Sequence, residues 1–329
     1  MLAACSFRPT PAATTGDDGP GDAIAITSDA APWWNDAWFE RIPITIENAG
    51  SAALGSGLQV AVMLDLSGGP CVSPGAHDDV RIVYGATELP RVIDSIPTTN
   101  ATWFGLVAVL DVGATSRGEY WLYCRNGSAA AVGDLGSAVF EFYDPFDALD
   151  GGRWQIVNGA TTNGGMLVLD NTNDTGVVTQ VAVNDVDYAV DFAAVLQSGT
   201  ADWWGGFQSG TADVRPWSLW YQHDAGNVSP SYIDGDPIAL IDFGTDKPQD
   251  TALHIYSVED YASAAIWRFD DVLYQVQAYS PLGTPPATFD LRLWNNSTGS
   301  NQGISFDWVR LRRAASPTPI VGLGSAEMR

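Results

Sequence analysis

The chain has 329 residues, 46% hydrophobic and 11% aromatic, enough for packed cores in about two domains of ordinary size. Its 39 acidic residues against 15 basic ones leave a formal charge of −24, a field that repels nucleic acid and anionic lipid and excludes both as partners. Only 7 of the acids are Glu, and 34 Gly with 19 Pro punctuate the chain, a balance that suits turns between short strands rather than helices.

Leu2-Ala3-Ala4-Cys5 has the form of a bacterial lipobox, in which small residues admit a signal peptidase before a cysteine that takes a lipid. Ser6 after it fits sorting to the outer membrane of a Gram-negative cell. Residues 6–32 are rich in Ala, Thr, Pro, Gly and Asp and cannot bury enough surface to offset ordering entropy, so 1–32 is expected to be a disordered tether. The basic and apolar segments of a signal peptide are expected upstream of Met1. The chain is then an exported lipoprotein, held to the membrane by a lipid on Cys5 alone. The alternative is a chance match in an ordinary tail.

With Cys5 set aside, Cys71 and Cys124 form an even pair that an oxidising compartment allows to bridge. The alternative is two unpaired small hydrophobes.

No window carries an apolar stripe at helical spacing, whereas alternation recurs at 42–46, 80–83, 218–222 and 290–294, so the class is all-β. The first domain, 33–136, opens on Trp33, Trp34 and Trp38 and continues in strands expected at 58–64, 79–84, 102–110 and 119–124. Trp34 and Trp38 before Arg41-Ile42-Pro43-Ile44, then Asp79-Val80-Arg81, Leu89-Pro90 and Tyr120-Trp121-Leu122-Tyr123, give this stretch its character. It resembles the family known as domain of unknown function 2341, found in bacterial and archaeal surface proteins. Where that family continues with Tyr and Gly-Asn, this chain has Cys124-Arg125-Asn126-Gly127, a departure consistent with a disulfide to Cys71. The three tryptophans are a sugar-stacking platform or, the favoured reading, a plug for the sandwich end.

The second domain, 137–329, starts with an aromatic strand into Asp144-Pro145-Phe146, then Gly151-Gly152, Trp154, and a turn at Asn163-Gly164-Gly165. This order resembles the opening of bacterial concanavalin A-like (lectin/glucanase-like) jelly rolls. Asp307-Trp308-Val309-Arg310 resembles the closing strand, expected to lie beside 140–146. Further strands are expected at 177–183, 188–196, 205–208, 217–223, 238–243, 252–257, 264–268, 273–278, 289–294 and 304–310. A small β-sandwich followed by a jelly-roll sandwich is the expected architecture.

The resemblance implies three functions. Glucanases on this sandwich present a Glu-x-Asp-x-x-Glu set, because glycoside hydrolysis needs two carboxyls about 5–10 Å apart, one protonated and one ionised. Here no two Glu lie within five positions of each other, so the expectation is a noncatalytic chain. The favoured function is binding of extracellular polysaccharide. The alternative is an adhesion scaffold with envelope-protein partners.

Candidate carbohydrate-binding residues are Trp203, Trp204, Trp220, Gln222 and Trp294, in which indole faces sit beside amide and hydroxyl donors. On the strand through 217–223, Trp217 and Leu219 are taken as the core side, leaving Trp220 and Gln222 outward; Trp294 is outward by alternation against Phe289, Leu291 and Leu293. The competing reading is that these aromatics cover the sandwich core. Asp170-Asn171-Thr172-Asn173-Asp174 gathers oxygen ligands, but the glycine is one place late for a calcium loop and Val181 stands where Glu is needed. A polar hairpin turn explains it better, and no cofactor is expected, with calcium as the weaker companion idea.

Overall fold

The computed structural model describes residues 32–329 except 65–70, 72–77, 96–99, 134, 171–173, 181–182, 184–185, 197–201, 210–213, 223–226, 234–240, 243–246, 249–250, 279–288 and 297–302. Alternation sets seven strands in the first part: β1 (Glu40–Glu47), β2 (Gln59–Leu64), β3 (Arg81–Tyr84), β4 (Thr87–Leu89), β5 (Val92–Ser95), β6 (Asn100–Gly105) and β7 (Thr115–Cys124). One helical turn, α1 (Gly136–Val139), leads into β8 (Phe142–Asp144), β9 (Trp154–Val157), β10 (Thr161–Asn163), β11 (Met166–Leu169), β12 (Thr175–Thr179) and β13 (Tyr188–Leu196). Then come β14 (Trp203–Ser209), β15 (Val214–Gln222), β16 (Asn227–Ile233), β17 (Ile241–Asp242), β18 (Lys247–Pro248) and β19 (His254–Tyr261). The last are β20 (Ala264–Phe269), β21 (Val272–Ala278), β22 (Asp290–Asn295), β23 (Ile304–Arg313), β24 (Ile320–Leu323) and β25 (Glu327–Met328). Among the described residues no helix is long and apolar enough to cross a membrane.

These strands form antiparallel sheets in two sandwiches. The first pairs the sheet β24-β1-β7-β3-β4, with β25 also on β1, against the three-stranded β2-β6-β5. Ile42, Ile44, Val60, Ile82, Phe104 and Leu122 fill the space between them. The second, a jelly roll, pairs β10-β11-β23-β13-β19-β20-β21 with β17-β16-β15-β14-β22-β12-β9; β8 adds to β23 and β18 to β16. Its core holds Trp154, Phe192, Trp203, Trp220, Trp267 and Phe306, all buried.

The closing strand lies where the sequence placed it: Arg310 pairs with Tyr143 and Leu311 with Phe142. The tail beyond it does not stay with the second sandwich. Ile44 of β1 faces Leu323 of β24, and Arg41 faces Glu327 of β25, so the C-terminal strands complete the first sandwich. Arg41 fixes this return, donating to Glu327 at 2.8 Å while its guanidinium lies 4.2 Å from the centre of the Trp121 ring. Cys71 and Cys124 are bonded, with Cα atoms 5.3 Å apart, and so tie position 71 to the end of β7. Trp38 is buried, its indole donating to the Asp79 carbonyl at 2.7 Å, and Trp34 packs on it with ring centres 5.1 Å apart; both are structural here.

Candidate functional site

Strand register builds an aromatic row on the face of the β9–β17 sheet that points away from the sandwich core. Trp294 of β22 faces Trp204 of β14, which faces Tyr221 of β15. The two indoles stack at 6.2 Å and 21°. On the next row the Arg292 guanidinium lies 3.8 Å from the Trp294 ring centre and 5.3 Å from that of Trp204, a cation–π wedge against both rings. Gln208 accepts from Trp204 Nε1 at 3.2 Å and Asp174 from Trp294 Nε1 at 3.4 Å. Gly176 is required beneath this row, because a Cβ there would run into the Trp294 ring.

Trp204 and Trp294 are only 7% and 3% exposed and form a small apolar cluster with Val178 and Leu219. They are the floor of the face. Among the described residues its accessible groups include half-buried Tyr221, Val157 and Asp290 and exposed Gln155 and Asp174.

Two of the expected binding tryptophans are core residues. Trp203 is fully buried among Phe192, Tyr256 and Phe306. Trp220, expected to point outward, points inward and donates to the Ser257 carbonyl at 2.9 Å, while its neighbour Ser218 donates to Asp260 at 3.2 Å across the sandwich. Leu219, taken for the core side, sits on the outer cluster instead. The inversion has a physical cause: the outer face is itself apolar, so β15 carries large apolar groups on both sides and alternation cannot say which is interior. Trp294 does point away from the main core, as alternation requires, with Trp204 beside it. The Gln222 side chain, Cys5 and the centre of the 170–174 segment, read as a polar turn with calcium as the weaker idea, lie outside the described residues. Among the described residues the one metal-ligand cluster is Glu40, Cys71 and Cys124, where the sulfurs are bonded to each other and Glu40 pairs with Arg125 at 2.6 Å.

A second constellation, which the sequence reading missed, occupies the junction of the two sandwiches. On β23, Arg310 and Arg312 share one face of the sheet, and Asp191 of β13 stands opposite Arg310. Asp191 accepts from Arg310 Nε at 2.8 Å and Arg312 Nε at 2.9 Å; Arg310 also reaches Asp94 of β5 at 2.7 Å, and Arg312 reaches Glu259 of β19 at 3.0 Å. Burial pushes Asp191 and Glu259 upward, but the paired guanidiniums outweigh it and hold both below the usual carboxylate range. Asp94, with Arg310 as its cation, is left raised because burial dominates. The Arg-x-Arg spacing at 310 and 312 was the available signal: on a strand it puts two cations on one face, which a buried face must neutralise.

No family model matches the chain, and no curated protein does. Solved structures resemble it over about half its length. One, described in a study of endo-acting O-glycanases that initiate mucin breakdown in the human gut microbiota, is 16% identical, covering 54% of this chain and 100% of its own, with a TM-score of 0.42. A β-1,3-glucanase of Mycobacterium marinum is 14% identical over 52% of this chain and 98% of its own, TM-score 0.40. A Bacillus licheniformis β-glucanase is 17% identical over 52% and 97%, TM-score 0.38. These neighbours stand against one expectation, that of a noncatalytic chain: structures similar to it are described as glycan-cleaving enzymes. The likeness assigns no role to any residue here.

Proposed function

We propose that the chain is an exported surface protein that engages extracellular polysaccharide on the outer face of the β9–β17 sheet. The observation that carries this reading is the Trp204–Trp294 stack with Arg292 wedged against it: a rigid aromatic floor on a face the main core does not need. A glycan laid along it would meet Tyr221 and Val157 through its C–H faces and Asp174, Gln155 and Asp290 through its hydroxyls. Lipidation at Cys5 would hold the protein at the envelope, and the first sandwich would be a domain like domain of unknown function 2341.

The test is retention on polysaccharide gels and a broad glycan array, with reducing-sugar release measured on every retained glycan. Retention that falls in Tyr221→Ala and Asp174→Ala while both variants remain folded at the assay temperature supports the reading; sustained sugar release would add hydrolysis to it. A blank array, or retention indifferent to both variants, sinks it in favour of a scaffold with protein partners.

A further inference from the structure

Between the sandwiches lies a cavity of about 260 Å³, close to the lower end of small-ligand sites. Met63 of β2, Pro319 and Val321 give it apolar walls, and Glu259, Arg268 and Asp271 line its polar side. The hydrogen-bonding capacity of that polar side is unevenly used. Glu259 is occupied, accepting from Arg268 Nε at 3.0 Å, Arg312 Nη2 at 3.0 Å and the Tyr261 hydroxyl at 3.1 Å. Arg268 uses only Nε in doing so, which leaves its two terminal nitrogens as donors. Asp271 presents the opposite want: its Oδ2 is buried and has no hydrogen-bond partner.

The turn between β20 and β21 produces this by splitting two adjacent aspartates. Asp270 turns back to accept from the Ile255 amide at 2.9 Å and to pair with His254 at 2.8 Å. Asp271, at φ 61°, is delivered to the cavity instead. Asp271, with one carboxylate oxygen buried and unpartnered, and Arg268, with donors unused, therefore line one space, and an unpartnered buried polar atom costs free energy.

The charges limit what that something is. Arg313, the third cation of the lining, is paired outside the cavity with Glu141 at 2.7 Å, and Arg268 and Arg312 balance Glu259 and Asp271, so the cavity favours neither a cation nor an anion. A metal ion would find one available carboxylate; an anion would meet Asp271. A hydroxyl group both donates and accepts, and neighbouring hydroxyls on one ring satisfy Asp271 and Arg268 together while the ring's C–H face rests on Met63 and Val321. We propose that the junction cavity is a binding site for a single neutral hydroxylated ring, the terminal unit of a saccharide. This goes beyond the outer-face reading and does not depend on it.

The carboxyl of Asp271 is pushed up to about 6, by burial first and then by Asp191, with Asp94 adding and Arg310 and Arg312 opposing. Glu259 is held ionised, Tyr261 is raised out of the physiological range, and His254 is engaged by Asp270 behind the turn. A donating hydroxyl favours the ionised carboxylate, so binding tightens as pH rises through about 6.

The experiment is calorimetric titration of the full chain with methyl glycosides of glucose, galactose, mannose and N-acetylglucosamine at pH 5 and pH 7. The expected result is saturable binding of at least one probe, tighter at pH 7. Asp271→Asn should weaken it about tenfold to a hundredfold and remove the pH difference. Arg268→Lys, which keeps a cation beside Glu259 and loses the terminal nitrogens, should weaken it similarly at unchanged melting temperature. Tyr221→Ala, on the outer face, should leave it unchanged, so the two sites fail separately. The proposal is overturned if none of the four probes binds saturably, if both cavity variants bind as the parent does, or if binding follows Tyr221→Ala.

Discussion

The indole Nε1 of Trp154 donates to Oδ2 of Asp144 at 2.6 Å, and both residues are buried. The other oxygen of Asp144 accepts from the Phe146 amide at 2.9 Å, holding Phe146 at φ 55° where the chain turns from β8 toward β9. One carboxylate thus fixes both the turn and the tryptophan at the mouth of the second sandwich. Asp144→Ala is expected to cost about 2–3 kcal/mol in urea unfolding, since it strands a buried indole N–H and an amide. Asp144→Asn, which retains an acceptor, should cost less; equal costs would refute a hydrogen-bonding role.

This pair explains why the second sandwich was legible. An Asp-x-Phe turn, a Trp ten residues on and a Gly-Gly hairpin are local features whose physics is contained in thirty residues. Strand positions were legible for the same reason, as with β13 at Tyr188–Leu196, which forms over the whole expected span. The facing of β15 was not, because both sides of that strand are covered. β16 was hidden by Pro230 within it, and the return of β24 to β1 by a register that joins residues far apart in the chain. The junction network was half visible: the Arg-x-Arg spacing at 310 and 312 announces two cations on one face, but their partners Asp94, Asp191 and Glu259 come from three other strands.

Within that network Asp191 should matter most. It is the shared partner of Arg310 and Arg312, both buried, so Asp191→Ala leaves two cations short of an anion and is expected to cost about 3–5 kcal/mol. Asp94→Ala should cost less, because Arg310 keeps Asp191. Denaturant midpoints of the two variants and the double variant measure this; a larger loss for Asp94 would reverse the assignment.

The disulfide closes a loop between positions 53 residues apart. In the chain-entropy model that link stabilises by about 4 kcal/mol. Paired Cys71→Ser and Cys124→Ser substitution, compared by urea unfolding with the oxidised parent, should lower stability by that order. A loss under about 1 kcal/mol would mean that the unfolded chain is already constrained there.

Trp220 and Tyr221 are neighbours that should separate stability from retention. Trp220 fills the core, so Trp220→Ala is expected to cost about 3–5 kcal/mol. Tyr221 lies half-buried on the outer rim, and Tyr221→Ala should cost far less while lowering glycan retention. A Trp220 variant that melts like the parent would contradict its placement in the core.

Asp271 gives a pH dependence of defined sign. Its folded value of about 6 lies above the ordinary 3.8, so the fold binds this proton more tightly than the unfolded chain does. The stability it contributes is present in full below about pH 3.8 and is lost as pH rises through about 6. Asp191 and Glu259, held below their ordinary values, act oppositely: their contribution is present above those values and fades as pH falls. Asp94 and Asp307, also raised by burial, share the direction of Asp271, and wild-type melting temperature between pH 4 and pH 7 is the balance of the two directions. Asp271→Asn removes its own share of the first, so the variant should gain on the parent from pH 4 to about pH 6 and level off toward pH 7. A constant offset across that range would show that Asp271 does not titrate there in the folded protein.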